Sequence, residues 1–138
     1  MGIIHSFTGQ NGGWDWSGVP VEDYTHKLPG VTTRRFISRQ DGSENLELRY
    51  FELAPGASSN LEQHVHEHAV LILRGRGQVL LGDSWHPVSF GDAIFIPSDE
   101  LHQFRAVEDD TLGFLCAVLG RSLRQLAHDR AAAPQAAK

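Results

Sequence analysis

Thiols are scarce in this chain, which carries Cys116 alone. A single cysteine excludes any internal disulfide and fits a reducing cytoplasm, the expected location. Positive charge is also short, with 12 Lys and Arg against 17 Asp and Glu, a net charge of −5. Without a basic run to offset it, that balance argues against a nucleic-acid or anionic-membrane surface. No apolar stretch approaches the ~20 residues of a membrane span. Met1 to Thr8 lacks a basic leader followed by a long apolar core, so no secretion signal is expected. A Ser-His-Asp order, a phosphate-binding loop and a nicotinamide fingerprint are missing as well. Helical periodicity is nearly absent, which turns attention to strands.

Short β-type runs are punctuated by Gly, Pro and Asp at intervals of roughly 8–12 residues, the pattern of an all-β sandwich or barrel. The spacing predicts strands at Thr32–Arg39, Leu46–Leu53, Gln63–Val65, Ala69–Arg74, Gly77–Leu81, Trp85–Val88, Ala93–Ile96, His102–Ala106 and Leu112–Leu119. Closing them into a barrel would remove the open edges that invite aggregation. Arg121–Lys138 is the only helix-like segment, with Leu123, Leu126 and Ala127 spaced for one face before an Ala-rich end. Residues 1–30, with Trp14 and Trp16, read as a covering arm. At 138 residues, with no internal repeat and no linker, the chain is expected to form one domain spanning 1–138.

What the sequence has in excess is histidine, eight in all, three of them within Glu62-Gln63-His64-Val65-His66-Glu67-His68. Alternate residues of a strand share a face, which puts Glu62 with His64, and His68 with Val70 and Ile72. Neutral imidazoles and a carboxylate suit Zn, Fe, Mn, Ni or Cu. Several histidines pointing into an apolar interior would be costly without something to take up their lone pairs. A divalent transition metal supplies that partner.

The spacing around the cluster resembles the cupin superfamily, in its small single-domain form. The usual first cupin motif is Gly, five residues, His, one residue, His, three or four residues, Glu, six residues, Gly. Here Gly56, Glu62, His64, His68 and Gly75 keep that register without a gap, with Glu and His exchanged at the first and third ligand positions. In the second motif Gly91, Pro97 and His102 fall in place, while Asp99 stands where a Gly is usual and Ala106 where an Asn is usual. The resemblance covers about Arg34 to Val118. It implies a cupin-type β-barrel (a double-stranded β-helix, or jelly roll) with a core at about 34–119, an N-terminal arm at 1–30 and a C-terminal helical tail at 121–138.

The ungapped register implies Glu62, His64, His68 and His102 as metal ligands and leaves His66 in the turn. A rival register pairs His64 with His66 and completes an all-His site with His68 and His102. A Glu ligand lowers the site's charge and favours Fe or Mn, whereas all-His sites also suit Cu and Ni. Around the metal, strand alternation places Val70, Ile72 and Phe104 in a substrate pocket, and Arg49 could point inward to meet an anionic group. Phe95 and Phe114 read as plain core, and Cys116 as a buried small hydrophobe.

Fold does not fix chemistry, and cupins similar to this chain include dioxygenases, isomerases, decarboxylases, lyases and binding modules. The aliphatic and phenylalanine lining points first to a small non-haem dioxygenase or other oxidoreductase acting on a small chelating organic substrate. The alternatives are a non-redox metal-dependent isomerase or lyase on a small carbonyl compound or sugar acid, which a polar pocket containing Arg49 or a Tyr base would favour, and a non-catalytic metal- or ligand-binding module. The resemblance also implies a homodimer, with Trp14 and Trp16 at its interface unless they fold back over their own barrel.

Overall fold

The computed structural model describes residues 1–9, 12–24 and 26–134. Among them are nine strands: β1 Glu22–Asp23, β2 Val31–Ile37, β3 Leu46–Leu53, β4 His68–Arg74, β5 Arg76–Leu81, β6 Ser84–Ser89, β7 Ala93–Ile96, β8 His102–Ala106 and β9 Leu112–Leu119. One helix, α1 Arg121–Ala132, follows β9 after Gly120; residues 135–138 of the expected tail lie outside the described residues. The strands form a six-stranded sheet, β1-β2-β3-β9-β4-β7, and a three-stranded sheet, β6-β5-β8, with antiparallel neighbours throughout. The hydrogen-bonded order does not run round a closed barrel as expected; two sheets face each other in a jelly-roll-like arrangement.

Period-2 alternation explains the layering. On β9, Leu112, Phe114, Cys116 and Val118 are buried on the inner face, and β4 sends His68, Val70 and Ile72 the same way. With Val79, Val88, Phe104 and Ala106 from the smaller sheet they make the main core. The turn from β4 to β5 passes through Gly75, which holds φ 68°, and a Cβ there would collide with the Thr111 carbonyl oxygen, so only glycine fits.

The outer face of the six-stranded sheet is covered by the arm. Trp16 packs on Phe36 at 4.5 Å and on Tyr50 at 5.0 Å, and Trp14 stacks on Tyr50 at 6.1 Å. Both tryptophans thus fold back over their own sheet, the alternative to a dimer interface. Beneath them, buried Arg34 meets Asp15 at 3.1 Å and Glu52 at 3.9 Å, and Glu52 also takes Arg74 at 3.0 Å. Farther along that face Phe95 is 60% exposed, not core as its sequence neighbours imply: β7 is an edge strand and the arm does not reach it.

Candidate metal centre

No strand forms at Gln63–Val65, because the chain leaves the small sheet at Glu62 and loops to β4. Glu62 is held by an isolated antiparallel bridge to His102, with Glu62 N donating to the His102 carbonyl at 3.0 Å and the reverse bond at 2.9 Å. Paired residues of an antiparallel ladder present their side chains on one face, so this bridge sets the carboxylate beside the imidazole. The loop is pinned next by Asp99 N donating to the His64 carbonyl at 2.7 Å. Asp99 adopts φ 64°, the left-handed conformation for which glycine is usual, so the backbone shape survives the change of residue. His68 then opens β4 on the inner face.

Four donors converge. His64 Nε2 lies 3.0 Å from His68 Nε2 and 3.4 Å from Glu62 Oε2, and His102 Nε2 lies 3.7 Å from the same carboxylate oxygen. One ligand atom from each of Glu62, His64, His68 and His102 falls within 4.8 Å of all the others. An ion with bonds of about 2.1 Å needs ligands roughly 3 Å apart when adjacent and about 4.2 Å when opposite, so the cluster fits a transition metal.

The remaining ring nitrogens are engaged elsewhere. His102 Nδ1 donates to the Glu100 carbonyl at 2.8 Å, and His64 Nδ1 donates to the His66 carbonyl at 2.9 Å. His68 Nδ1 sits 3.0 Å from Cys116 Sγ. With the outer nitrogens so held, the lone pairs of the inner ones face the cluster, the usual way protein orients metal-binding imidazoles.

The electrostatics favour the same use. Burial pushes His68 down to about 3, with His64 and His102 adding to the effect, so its imidazole is neutral near pH 7. The polar interaction with His102 pulls Glu62 down to about 2 against the effect of burial, which keeps it a carboxylate. For His102 burial lowers the value, but Glu62 and the Glu100 carbonyl together raise it. Burial pushes the Cys116 thiol up to about 11, leaving it protonated.

His66 is placed apart. Its ring stacks on His64 at 3.6 Å and its Nδ1 meets His128 Nε2 of α1 at 3.3 Å, outside the converging set. Arg124, also on α1, reaches buried Glu47 of β3 at 2.8 Å. Together these contacts lay the helix beside the cluster. Nothing in the sequence pattern signals the His66–His128 contact.

Beside the donors lies a cavity of about 400 Å³. Glu62, His68 and His102 reach it, and Val70, Phe104 and Arg49 line it. Ile72, also expected there, is fully buried in the main core one step farther along β4 and does not line the cavity. The alternation that turns Ile72 inward is the one that shows Val70 to the cavity, but depth separates them. Phe114, read as plain core, does line it, stacked on Phe104 at 4.3 Å. Tyr24 and Lys27 come from the arm and were not legible, since strand periodicity says nothing about where an irregular segment lies.

Residues 49–118 match the family model described as Cupin domain. The chain is 43% identical over 107 residues to 1-methylthio-D-xylulose 5-phosphate methylsulfurylase of Rhodospirillum rubrum, covering 75% of this chain and 67% of that protein. It is 39% identical over 62 residues to (S)-ureidoglycine aminohydrolase of Escherichia coli, but that match covers 44% of this chain and only 23% of the relative. A solved cupin 2 conserved barrel domain protein from Rhodopseudomonas palustris is similar with a TM-score of 0.71 and 38% identity, covering 85% of this chain and 80% of that one. Two sheets around a Glu/His cluster, and a family match spanning both motifs, lead to one conclusion: the chain belongs to the cupin family.

Proposed function

We propose that this cupin is a metal-dependent enzyme in which Glu62, His64, His68 and His102 hold a divalent transition metal, with Fe or Mn favoured by the carboxylate ligand. The observation that carries the reading is the convergence of three Nε2 atoms and one carboxylate oxygen at the wall of a cavity. When bound, the ion supplies Lewis acidity and a template for a chelating substrate. The chain's own residues do the rest. Glu100, through its carbonyl, and His66, through its backbone, fix the imidazole tautomers. Val70, Phe104 and Phe114 shield one side of a bound substrate from water.

The lining also carries polar side chains, from Tyr24, Arg49, Ser59 and Asn60. That favours a non-redox lyase or isomerase acting on a small carbonyl or sugar-type compound. The similarity to a methylsulfurylase and to aminohydrolases, named for transformations other than dioxygenation, supports the same choice. Tyr50 is not the base in this reading, since it lies on the outer face under the tryptophans. A dioxygenase-type oxidoreductase is the second reading, favoured by the phenylalanine pair. Oxygen uptake separates them: turnover of a sugar acid or hydroxy ketone by the metal-loaded protein, unchanged under anaerobic conditions, supports the first reading. O2 consumption with diketones, catechols or flavonols supports the second.

A homodimer is proposed through the uncovered part of the outer face, where Leu71, Phe95 and Leu119 are 39%, 60% and 41% exposed. Light scattering on the wild type and on Phe95→Asp tests it; a monomeric wild type refutes it.

A further inference from the structure

We propose that the cavity recognises an oxyanionic group on its substrate, a carboxylate or a phosphate, through Arg49; the proposal deepens the metal-enzyme reading above and rests on it for the rest of the substrate. The position of Arg49 follows from register. On β3 it pairs with Arg35 of β2 on one side and Cys116 of β9 on the other, and Cys116 pairs onward with Val70 of β4. All four share the inner face. Arg49 therefore stands two strands from β4, with Cys116 between it and His68. A substrate touching the metal cluster with one end would meet the guanidinium with the other.

The charges along this wall are unequal in how they are matched. Glu22 takes both Arg35, at 3.2 Å, and the Tyr24 hydroxyl, at 2.9 Å. Glu62 is committed to the histidines. Arg49 and Lys27, both on the cavity, have no carboxylate partner among the described residues. The Nε of Arg49 is buried with no hydrogen-bond partner, while its guanidinium lies 5.2 Å over the Phe51 ring. A buried, unpartnered donor on a cation is costly, and setting Arg49 directly across from Arg35 adds like-charge repulsion. A surface role would let Arg49 relax toward a carboxylate; the inward strand position prevents that. In a protein of net charge −5, this is a local cationic wall that an anionic ligand would complete.

Carboxylate and phosphate share the fork geometry that guanidinium recognises, and two titrations tell them apart. Metal-free protein, prepared with a chelator, is titrated with inorganic phosphate and separately with acetate while the backbone amide resonances of Phe51 and Cys116, which line the cavity beside Arg49, are followed by 15N NMR. The expected result is a saturable shift with at least one anion, weakened about tenfold or more in Arg49→Met. Lys27→Gln is expected to weaken it by a smaller factor. Arg105→Met is expected to bind as the wild type, because Arg105 is engaged with Gln78 at 2.6 Å and Trp85 on the other sheet. If Arg49→Met fails to fold by circular dichroism, Arg49→Lys, which keeps the charge but loses the fork, replaces it with the same direction expected. No saturable shift with either anion, or unaltered binding in the folded Arg49 variant, overturns the proposal. The anion arm uses no metal, so it can succeed or fail independently of metal retention by Glu62, His64, His68 and His102.

Discussion

The two faces of the six-stranded sheet carry similar residues to different ends. On the outer face, Arg34, Glu52 and Arg74 lie beneath aromatic rings with their charges set against one another and against Asp15. On the inner face, one residue away along the same strands, Arg35 and Arg49 both line the cavity, but Arg35 is matched by Glu22 whereas Arg49 is left without a carboxylate. Three histidine nitrogens beyond Arg49 hold lone pairs toward a common point. Alternation along β2 and β3 thus builds a completed core on one side and an unsatisfied site on the other. The outer face is charge-matched and serves stability, whereas the inner face carries the ligand chemistry beside the main core, and the two roles should separate by mutation.

The largest effect is expected for His102→Ala, which removes a donor and leaves Glu62 with His64 as its remaining imidazole neighbour. Metal affinity should fall by about two orders of magnitude or more, read by elemental analysis after dialysis against a chelator. His66→Ala should keep its metal, since that ring faces His128; loss of metal there together with retention in Glu62→Ala would restore the all-His register. Next comes Trp16→Ala on the outer face, expected to cost about 3 kcal/mol in urea denaturation with metal content unchanged. A Trp16 variant that sheds its metal would show that the faces are coupled.

Acid should act mainly through the inner face. In the unfolded chain His66 and His68 take up protons near 6.5, but the folded protein refuses them until about 4 and about 3. The stability these two histidines contribute to the metal-free protein is therefore present above pH 6.5 and lost as pH falls through that window. Glu62, ionised in the fold down to about 2 against an ordinary 4.5, adds in the same direction at lower pH. His102, with its value raised, works oppositely above pH 6.5. The melting temperature of chelated protein should drop by several degrees from pH 7 to pH 4, and a flat profile would refute this assignment of protons. The smallest effect is expected for Asp99→Gly, which relieves a left-handed aspartate at the cost of a looser unfolded chain, a net change of about 1 kcal/mol or less by thermal melting.

Much of this was legible in advance where a repeating pattern meets a punctuation mark. Leu46–Leu53, Ala93–Ile96, His102–Ala106 and Leu112–Leu119 begin and end as read, each bounded by turn residues. The pair of cupin motifs brought together Glu62 and His102, separated by 39 intervening positions, which no local rule could do. Missed features share a cause, in that they depend on irregular chain. The two-residue strand β1 is too short to show a period. Tyr24 and Lys27 enter the cavity from the arm, and His128 approaches from a helix whose polar positions gave no hint of a target. Ile72 shows the limit of alternation, which gives the face but not the depth.

His68 belongs to the six-stranded sheet, whereas Glu62 and His102 belong to the bridge that extends the three-stranded one. Any ion gripped by all of them is thus a cross-link between layers that are otherwise held mainly by apolar contact. Such a clasp shortens the effective loop between distant stretches of chain. Amide hydrogens of β4 and β8 should then exchange with solvent as one cooperative block when the site is filled, and as two when it is stripped.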